Sequence, residues 1–500
     1  MSRPVPDEPA GSQPSRPAPG DAGWLPPKPV ARAGNVSLMR YLRLFRRDIL
    51  SAQPARLYRA WMAEFRTPFF TSFLVNDPAL VRLVLRERPQ DFPKSDRVGE
   101  GLRQLLGRSV FLTNGEEWER QRRIINPAFE GGRLRGAFPA MQAAGQAAAA
   151  RLQAGEVEIE AATSHAAADV IFRTLFSMPI EDRVARRVFD AFGQFQRKQP
   201  ILTPAAFVPL PRWLPRVPRR GTGRPARVIR RLITELTDER ARQIEAGSAP
   251  DDLATKIMTT ADPLTGRRLA PAEMVDQVAI FFLAGHETSA SALAWALYLL
   301  ACDPQAQARA ACEAKAFQAA PDMSSLPQLR YVRAVFREAL RLYPPVPMMV
   351  REARGRELFR GRTVPRGAQI VLSPWHLHRH ERFHDDPDGF DPDRPAGPPD
   401  CFLPFSAGPR VCPGAGFAMM EGTVLLAALL ARWRFEPVKD AVPVPVAHLT
   451  VRSRTGIRLR LRPRGGDDGA DGEGGATGNG GTEAGSGGKG GARAREAGPL

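Results

Sequence analysis

One stretch limits what this chain can fold into more than any other. Val278 to Cys302 is almost wholly apolar and long enough to cross a bilayer, yet its middle carries His286, Glu287, Thr288 and Ser289. An ionisable pair at mid-membrane is costly. A long helix through the centre of a large water-soluble core accommodates both features, because buried polar groups there can find a partner or a task. The predicted helix runs from Pro271 to Ala301.

Around that helix there is room for one large core. The chain has 500 residues, 43% of them hydrophobic, with few tyrosines. Abundant Ala and Leu lean towards helix. Residues 1–35 are rich in Pro and small polar residues, and residues 464–500 form a Gly-rich tail; both are predicted to be disordered. Residues 36–463 show no low-complexity break and no repeat, so they are expected to form a single large domain, mainly α with a minor β part.

Local signals divide that domain. Thr67 to Asn76 is strand-like, and Asp77 then caps a helix with Pro78 in its first turn. A basic helix over Glu116 to Asn126 is stopped by Pro127. Residues 134–155, 163–177 and 226–246 read as helices, and so does Gln328 to Leu342, stopped by Pro344 and Pro345. Residues 199–218 are apolar but too Pro-rich for one helix. Strands are expected within 356–373, an irregular loop over 380–400, and a helix from Gly416 to Arg432.

The formal charge is +18. An anionic membrane surface, an acidic protein partner, nucleic acid or a simple preference for arginine could each account for it. The cysteines are Cys302, Cys312, Cys401 and Cys412, with no C-x-x-C pair, so neither a zinc site nor a disulfide scaffold is indicated. The N-terminus has no apolar signal region. A cytoplasmic protein with no transmembrane anchor is expected.

The sharpest motif is Phe405-Ser-Ala-Gly-Pro-Arg410-Val-Cys412-Pro-Gly414. Glycines permit tight turns and close approach to a flat ring. A helix opening just after the cysteine presents amide N–H groups that stabilise a thiolate. Alone, such a cysteine would read as structural, since free cysteine is usually core. The full F-x-x-G-x-R-x-C-x-G spacing resembles the haem-binding signature of the cytochrome P-450 family. That resemblance makes Cys412 the axial ligand of a haem b iron, puts Phe405 beside the thiolate and gives Arg410 to a haem propionate. Phe417-Ala418-x-x-Glu421 looks like the family's next helix.

In the central helix, Ala284-Gly285-His286-Glu287-Thr288 could be a helix contact with satisfied polar groups. It is also similar to the family's oxygen-activating segment. By that resemblance Ala284 leaves room beside the haem, Thr288 holds bound oxygen and Glu287 helps relay protons. A zinc-protease reading of His286-Glu287 fails, because position 290 is Ala290.

Glu338 and Arg341 share a helix face. With Arg394 they resemble the family's Glu-x-x-Arg network, which implies a lock beneath the haem; Pro395 stands where the family has Phe. Trp118 and Arg122, one turn apart, and Arg351 match positions that contact propionates, so Arg122, Arg351 and Arg410 would meet two carboxylates. The motifs run in family order from Trp118 to Glu421.

A competing cluster is His376, His378, His380 and His384 with Glu381, Asp385 and Asp386, which invites a zinc-hydrolase reading. The family's His-Arg pair already accounts for His378-Arg379. A haem sensor would not need Glu287-Thr288, and a peroxide-using enzyme has less use for them.

The resemblance implies a monooxygenase that inserts one atom of O2 into an apolar small molecule. Electrons are expected from a ferredoxin or flavodoxin with its NAD(P)H reductase, and no nucleic-acid partner is expected. Pocket walls are assigned to 95–110, 199–218, Phe281, Ala284 and Val346 to Val350, with Phe207, Trp213, Met348 and Met349 among them. Residues 199–218 could instead touch a membrane.

Overall fold

Pro271 starts the central helix. There the Glu273 carboxylate turns back to accept the Ala270 amide at 2.9 Å, satisfying a group that the first turn leaves open. The helix ends at Cys302, where Asp303 and Pro304 start the next one: Asp303 Oδ1 accepts the Ala306 amide at 2.9 Å. This computed structural model describes residues 23–32, 34, 36–66, 71–99, 101–198, 223–447 and 449–465.

The longer helices are α1 Leu38–Arg47, α2 Gly115–Ile125, α3 Gly131–Arg151, α4 Ile159–Phe176, α5 Arg183–Lys198, α6 Gly223–Glu245, α7 Pro271–Cys302, α8 Pro304–Ala319, α9 Arg330–Leu342 and α10 Ala415–Arg432. The strands are β1 Met62–Arg66, β2 Thr71–Val75, β3 Gly155–Glu158, β4 Met349–Glu352, β5 Glu357–Phe359, β6 Arg362–Val364, β7 Gln369–Leu372, β8 Trp433–Pro437, β9 Pro445–Ala447, β10 Val451–Ser453 and β11 Arg458–Pro463. The largest sheet has the order β1-β2-β7-β4, with only the β2–β7 pair parallel. The others are β3-β11-β8, β9-β10 and β5-β6. The fold is mainly α with a small β part in a single domain, as the sequence suggests.

The central helix is buried because neighbours cover nearly every face. Phe172 and Phe176 of α4 meet Phe282, with ring centroids 4.5 and 6.4 Å apart. A Cβ on Gly285 would stand 2.6 Å from Ile171 Cδ1, so the missing side chain lets α4 come close. Trp295 stacks on Tyr343 at 3.9 Å. Among the described residues, the one helix long and apolar enough to cross a membrane is α10, and most of it is buried in the core.

Several predicted boundaries move for identifiable reasons. The helix expected over 134–155 stops at Arg151, because Gly155–Glu158 pairs with β11; the Glu158 carboxylate then caps α4 at the Glu160 and Ala161 amides. The strand expected from Thr67 is Thr71–Val75, and Thr67 to Phe70 lie outside the described residues. Strands β1, β4 and β8–β11 were not predicted.

The disorder expected over 1–35 does not hold for residues 24–32, while residues 1–22 lie outside the described residues. Residues 24–32 pack on the domain. Trp24 meets Tyr298 with centroids 6.3 Å apart, the Tyr343 hydroxyl donates to the Pro27 carbonyl at 2.7 Å, and Lys28 pairs with Asp388. Prolines lack an N–H, so such a segment can lie buried with few unpaired donors. The tail over 464–500 lies outside the described residues, apart from Arg464 and Gly465. So do residues 199–218, including Phe207 and Trp213.

Candidate active site

The cysteine loop is wound by its own backbone. The Cys412 amide donates to the Phe405 carbonyl at 2.9 Å, and the Val411 amide to that of Gly408 at 3.0 Å. Gly408, with φ +68°, is the position no side chain could occupy: a Cβ there would stand 1.8 Å from the Leu85 carbonyl oxygen. Gly414 is looser. A Cβ there would meet Cys412 Sγ and the Phe129 ring at 3.9 Å, ordinary contact distances. Its contribution is its amide, which hydrogen-bonds the sulfur.

The Cys412 side chain is accessible although protein atoms lie densely around it. Burial pushes its thiol above the ordinary value, while the Gly414 amide and the Arg122 charge act against that shift. On α7, Ala284 is exposed although Phe282, Leu283, His286 and Glu287 beside it are buried. Phe129 meets both α7 and α10, with ring centroids 5.7 Å from Phe281 and 6.4 Å from Phe417. Val346 is 36% exposed between buried prolines.

Three basic side chains lie over one indole, and a fourth is close by. Lys94 Nζ, Arg122 Cζ and Arg410 Cζ lie 5.8, 6.0 and 4.9 Å from the Trp118 ring centroid. Arg351 is buried beside them, and Lys94 faces it across an antiparallel bridge. Arg122 donates to the Val411 carbonyl at 2.9 Å and Arg410 to that of Pro89 at 2.7 Å. Arg122 Nε, and Arg410 Nε and Nη2, are buried without a partner among the described residues. Burial and then Arg351, Arg410 and Arg122 pull Lys94 down to about 6. Burial and Arg410 pull Arg351 down to about 10. None of the four makes an ion pair among the described residues. Charges so placed call for anions, and two carboxylates at the edge of an apolar ring suit them. The donor set therefore fits haem.

Lys94 was not foreseen. Nothing in its own neighbourhood marks it, and its place follows from the bridge to Arg351.

Below the loop, Arg341 is fully engaged. Nε and Nη2 donate to the Glu338 carboxylate at 2.8 and 2.7 Å, Nη1 to the His378 and Pro387 carbonyls at 3.0 and 2.7 Å, and Nη2 also to that of Gly389 at 2.8 Å. Arg394 joins Glu338 at 3.3 Å and the Gly389 carbonyl at 3.2 Å. His378 belongs to this network too. Its Nε2 accepts the Leu403 amide at 2.8 Å, which leaves Nδ1–H to donate to the Arg341 carbonyl at 3.2 Å. Burial holds it neutral, down to about 3. The histidine cluster does not converge: His376 pairs with Ser373, and His380 stacks on Trp61.

On α7 the expected acid–alcohol pair diverges. Thr288 Oγ1 donates back to the Ala284 carbonyl at 2.6 Å on the open side. Glu287 is buried and held by Gln196, Thr450 and Arg452.

The family model described as Cytochrome P450 matches residues 59–459. Among curated proteins, "Cyclooctat-9-en-7-ol 5-monooxygenase" of Streptomyces melanosporofaciens is 33% identical over 81% of this chain and 89% of its own. "Pentalenene oxygenase" of Streptomyces avermitilis is 32% identical over 77% and 87%. A "Cytokinin hydroxylase" of Arabidopsis thaliana is 28% identical over 81% and 83%. A match of that extent, on a chain whose thiolate loop and carboxylate-seeking cradle it explains, places this protein in the cytochrome P450 family as a haem-dependent monooxygenase.

Proposed function

We propose that the chain inserts one atom of O2 into an apolar small molecule, by hydroxylation or epoxidation, with Cys412 as the residue that would hold the iron of haem b. The observation that carries this reading is the cradle of Lys94, Arg122, Arg351 and Arg410, which makes no ion pair among the described residues and gathers at the Trp118 indole next to the cysteine loop. Haem, when bound, supplies the activation of O2 that side chains lack.

The residues supply the rest. The sulfur of Cys412 donates electron density, moderated by the Gly414 amide. Lys94, Arg122, Arg351, Arg410 and Trp118 would orient the propionates. Thr288 Oγ1 holds a proton at the open face of α7, and the Glu287 carboxylate passes protons inward from the side of Arg452. Glu338, Arg341 and Arg394 hold the loop in place. Ala284 leaves space, and Phe281, Val346, Met348 and Met349 exclude water and fit an apolar guest. The printed names of the Streptomyces relatives, one acting on an alkenol and one on pentalenene, support an apolar substrate of terpenoid kind. Their Streptomyces source favours an enzyme of bacterial type.

Electrons come from a separate ferredoxin or flavodoxin with its NAD(P)H reductase. Exposed Arg330, Arg333 and Arg337 on α9 support an acidic partner, with Arg337 4.9 Å from the Phe402 ring on the approach to the cysteine loop. Turnover with an acidic ferredoxin should fall as salt rises; a flat salt response sinks this assignment of partner.

The test of the site is the visible spectrum of the dithionite-reduced protein with carbon monoxide. A strongly red-shifted Soret band, lost in Cys412→Ala, is expected. Folded protein that takes up no haem would overturn the reading.

A further inference from the structure

One carboxylate that the chemistry does not use holds the pocket wall expected over 95–110. Asp276 lies on α7, about two turns before Ala284. Its Oδ2 accepts the Arg108 backbone N–H at 2.7 Å. Its Oδ1 takes a hydrogen bond from Arg230 Nη1 on α6 at 2.6 Å. The same guanidinium nitrogen donates to the Leu105 carbonyl at 2.9 Å. The next residue on α7, Gln277, accepts the Val110 N–H at 2.9 Å.

Gly107 completes the contact. Its φ is +50°, and a Cβ there would stand 2.1 to 2.3 Å from the carboxylate atoms of Asp276. Only glycine lets the chain close on that carboxylate.

Three elements therefore meet at one side chain: the wall over 105–110, α6 and α7. Leu105 and Leu106 bury their side chains in the core, but the polar contacts of the wall with Asp276, Gln277 and Arg230 are made by its backbone groups, so Asp276 and Arg230 carry most of its polar hold on the central helix. Their side chains are 10% and 30% exposed. Such a pair is shielded enough to matter and still open to water on one side, unlike a fully buried pair that could not part without stranding a charge.

We propose that Asp276 is the latch of the substrate chamber: with Arg230 and Gly107 it closes the wall over 105–110 onto α7, and its release admits an apolar substrate. The latch rests on the monooxygenase reading above, in which this wall lines the chamber. Closure of this kind sets the rates of entry and exit while leaving the bound geometry alone.

The holoenzyme, Arg230→Met, Arg230→Lys and Asp276→Asn are mixed with 4-phenylimidazole in a stopped-flow instrument, and the Soret shift is followed. In Arg230→Met and Asp276→Asn, association and dissociation rates should both rise about tenfold, the scale of one lost ion pair with its hydrogen bonds, with Kd within about threefold. Arg230→Lys, which keeps a charge, should fall between. Hydrogen exchange at the Arg108 and Val110 amides should quicken in Arg230→Met, while exchange in α10 stays as in the parent protein. Unchanged rates overturn the latch, and so does a change in dissociation alone, which would mark a binding contact. The carbon monoxide spectrum separates the two readings. A thiolate-type band with unchanged rates removes the latch only, whereas its absence from the unmutated protein removes the reading beneath it.

Discussion

Arg452 of β10 reaches the central helix, where its Nη2 lies 3.0 Å from Oε1 of Glu287. The same oxygen accepts from Thr450 Oγ1 at 2.7 Å, and the other from Gln196 Nε2 at 3.0 Å. The Glu287 side chain is 7% exposed and that of Arg452 41%, so the acid meets solvent through its partner. Removing the cation strands a buried carboxylate. Arg452→Ala should cut turnover about tenfold, with a larger solvent isotope effect, and Arg452→Lys should restore most of both. Steady-state kinetics in H2O and D2O check this.

Arg341 satisfies one carboxylate and three backbone carbonyls at once. Lysine has the charge but not the planar fork. Arg341→Lys leaves buried acceptors unpaired and should cost about 3–5 kcal/mol, the range for breaking a buried pair. The loss should appear as a lower Tm and a fall in haem retained per chain after gel filtration. Full haem content at an unchanged Tm would contradict the role given to this network.

Glu421 is buried on α10, accepts the Ser289 hydroxyl at 2.6 Å through Oε2, and has no partner at Oε1 among the described residues. Burial raises it to about 8 from an ordinary 4.5, with the Ser289 bond opposing. The folded state thus keeps a proton that the unfolded state has lost, so stability falls as pH rises from about 4.5 to about 8 and levels off above. Glu421→Gln removes this titration. Urea unfolding across that window should show a flatter pH dependence in the variant, by up to one proton; parallel curves would sink the assignment.

Gly422 follows on the same helix, and a Cβ there would stand 2.1 to 2.5 Å from the Phe336 ring of α9. Gly422→Ala should destabilise by about 1–3 kcal/mol through overpacking. Phe336→Leu should recover part of that in the double variant, since the two sites touch. Denaturant titration of the four proteins measures the coupling.

Several groupings at the candidate site could be read from local spacing. The cysteine loop, the Glu338–Arg341 pair and the Trp118–Arg122 pair each lie within one turn or loop, where residue separation sets geometry. Helices α2, α6, α7 and α9 were predicted nearly to their ends, because apolar periodicity and proline stops act locally. The strands at 433–463 were not, since each pairs with a segment distant in the chain or is too short to show a period of its own.

By itself the sequence determined the Gly-rich loop around Cys412, the central helix with its polar midpoint, and the mainly helical core around them. Only the tertiary structure decided which charges gather and which part. It brought Lys94 to Arg351, His378 to Leu403, Arg452 to Glu287 and Lys28 to Asp388, and it turned Thr288 and Glu287 to different surroundings. Each of those outcomes depends on contacts between residues far apart in the chain, and on which helix face is buried. No local spacing encodes a partner chosen by the packing of the whole core.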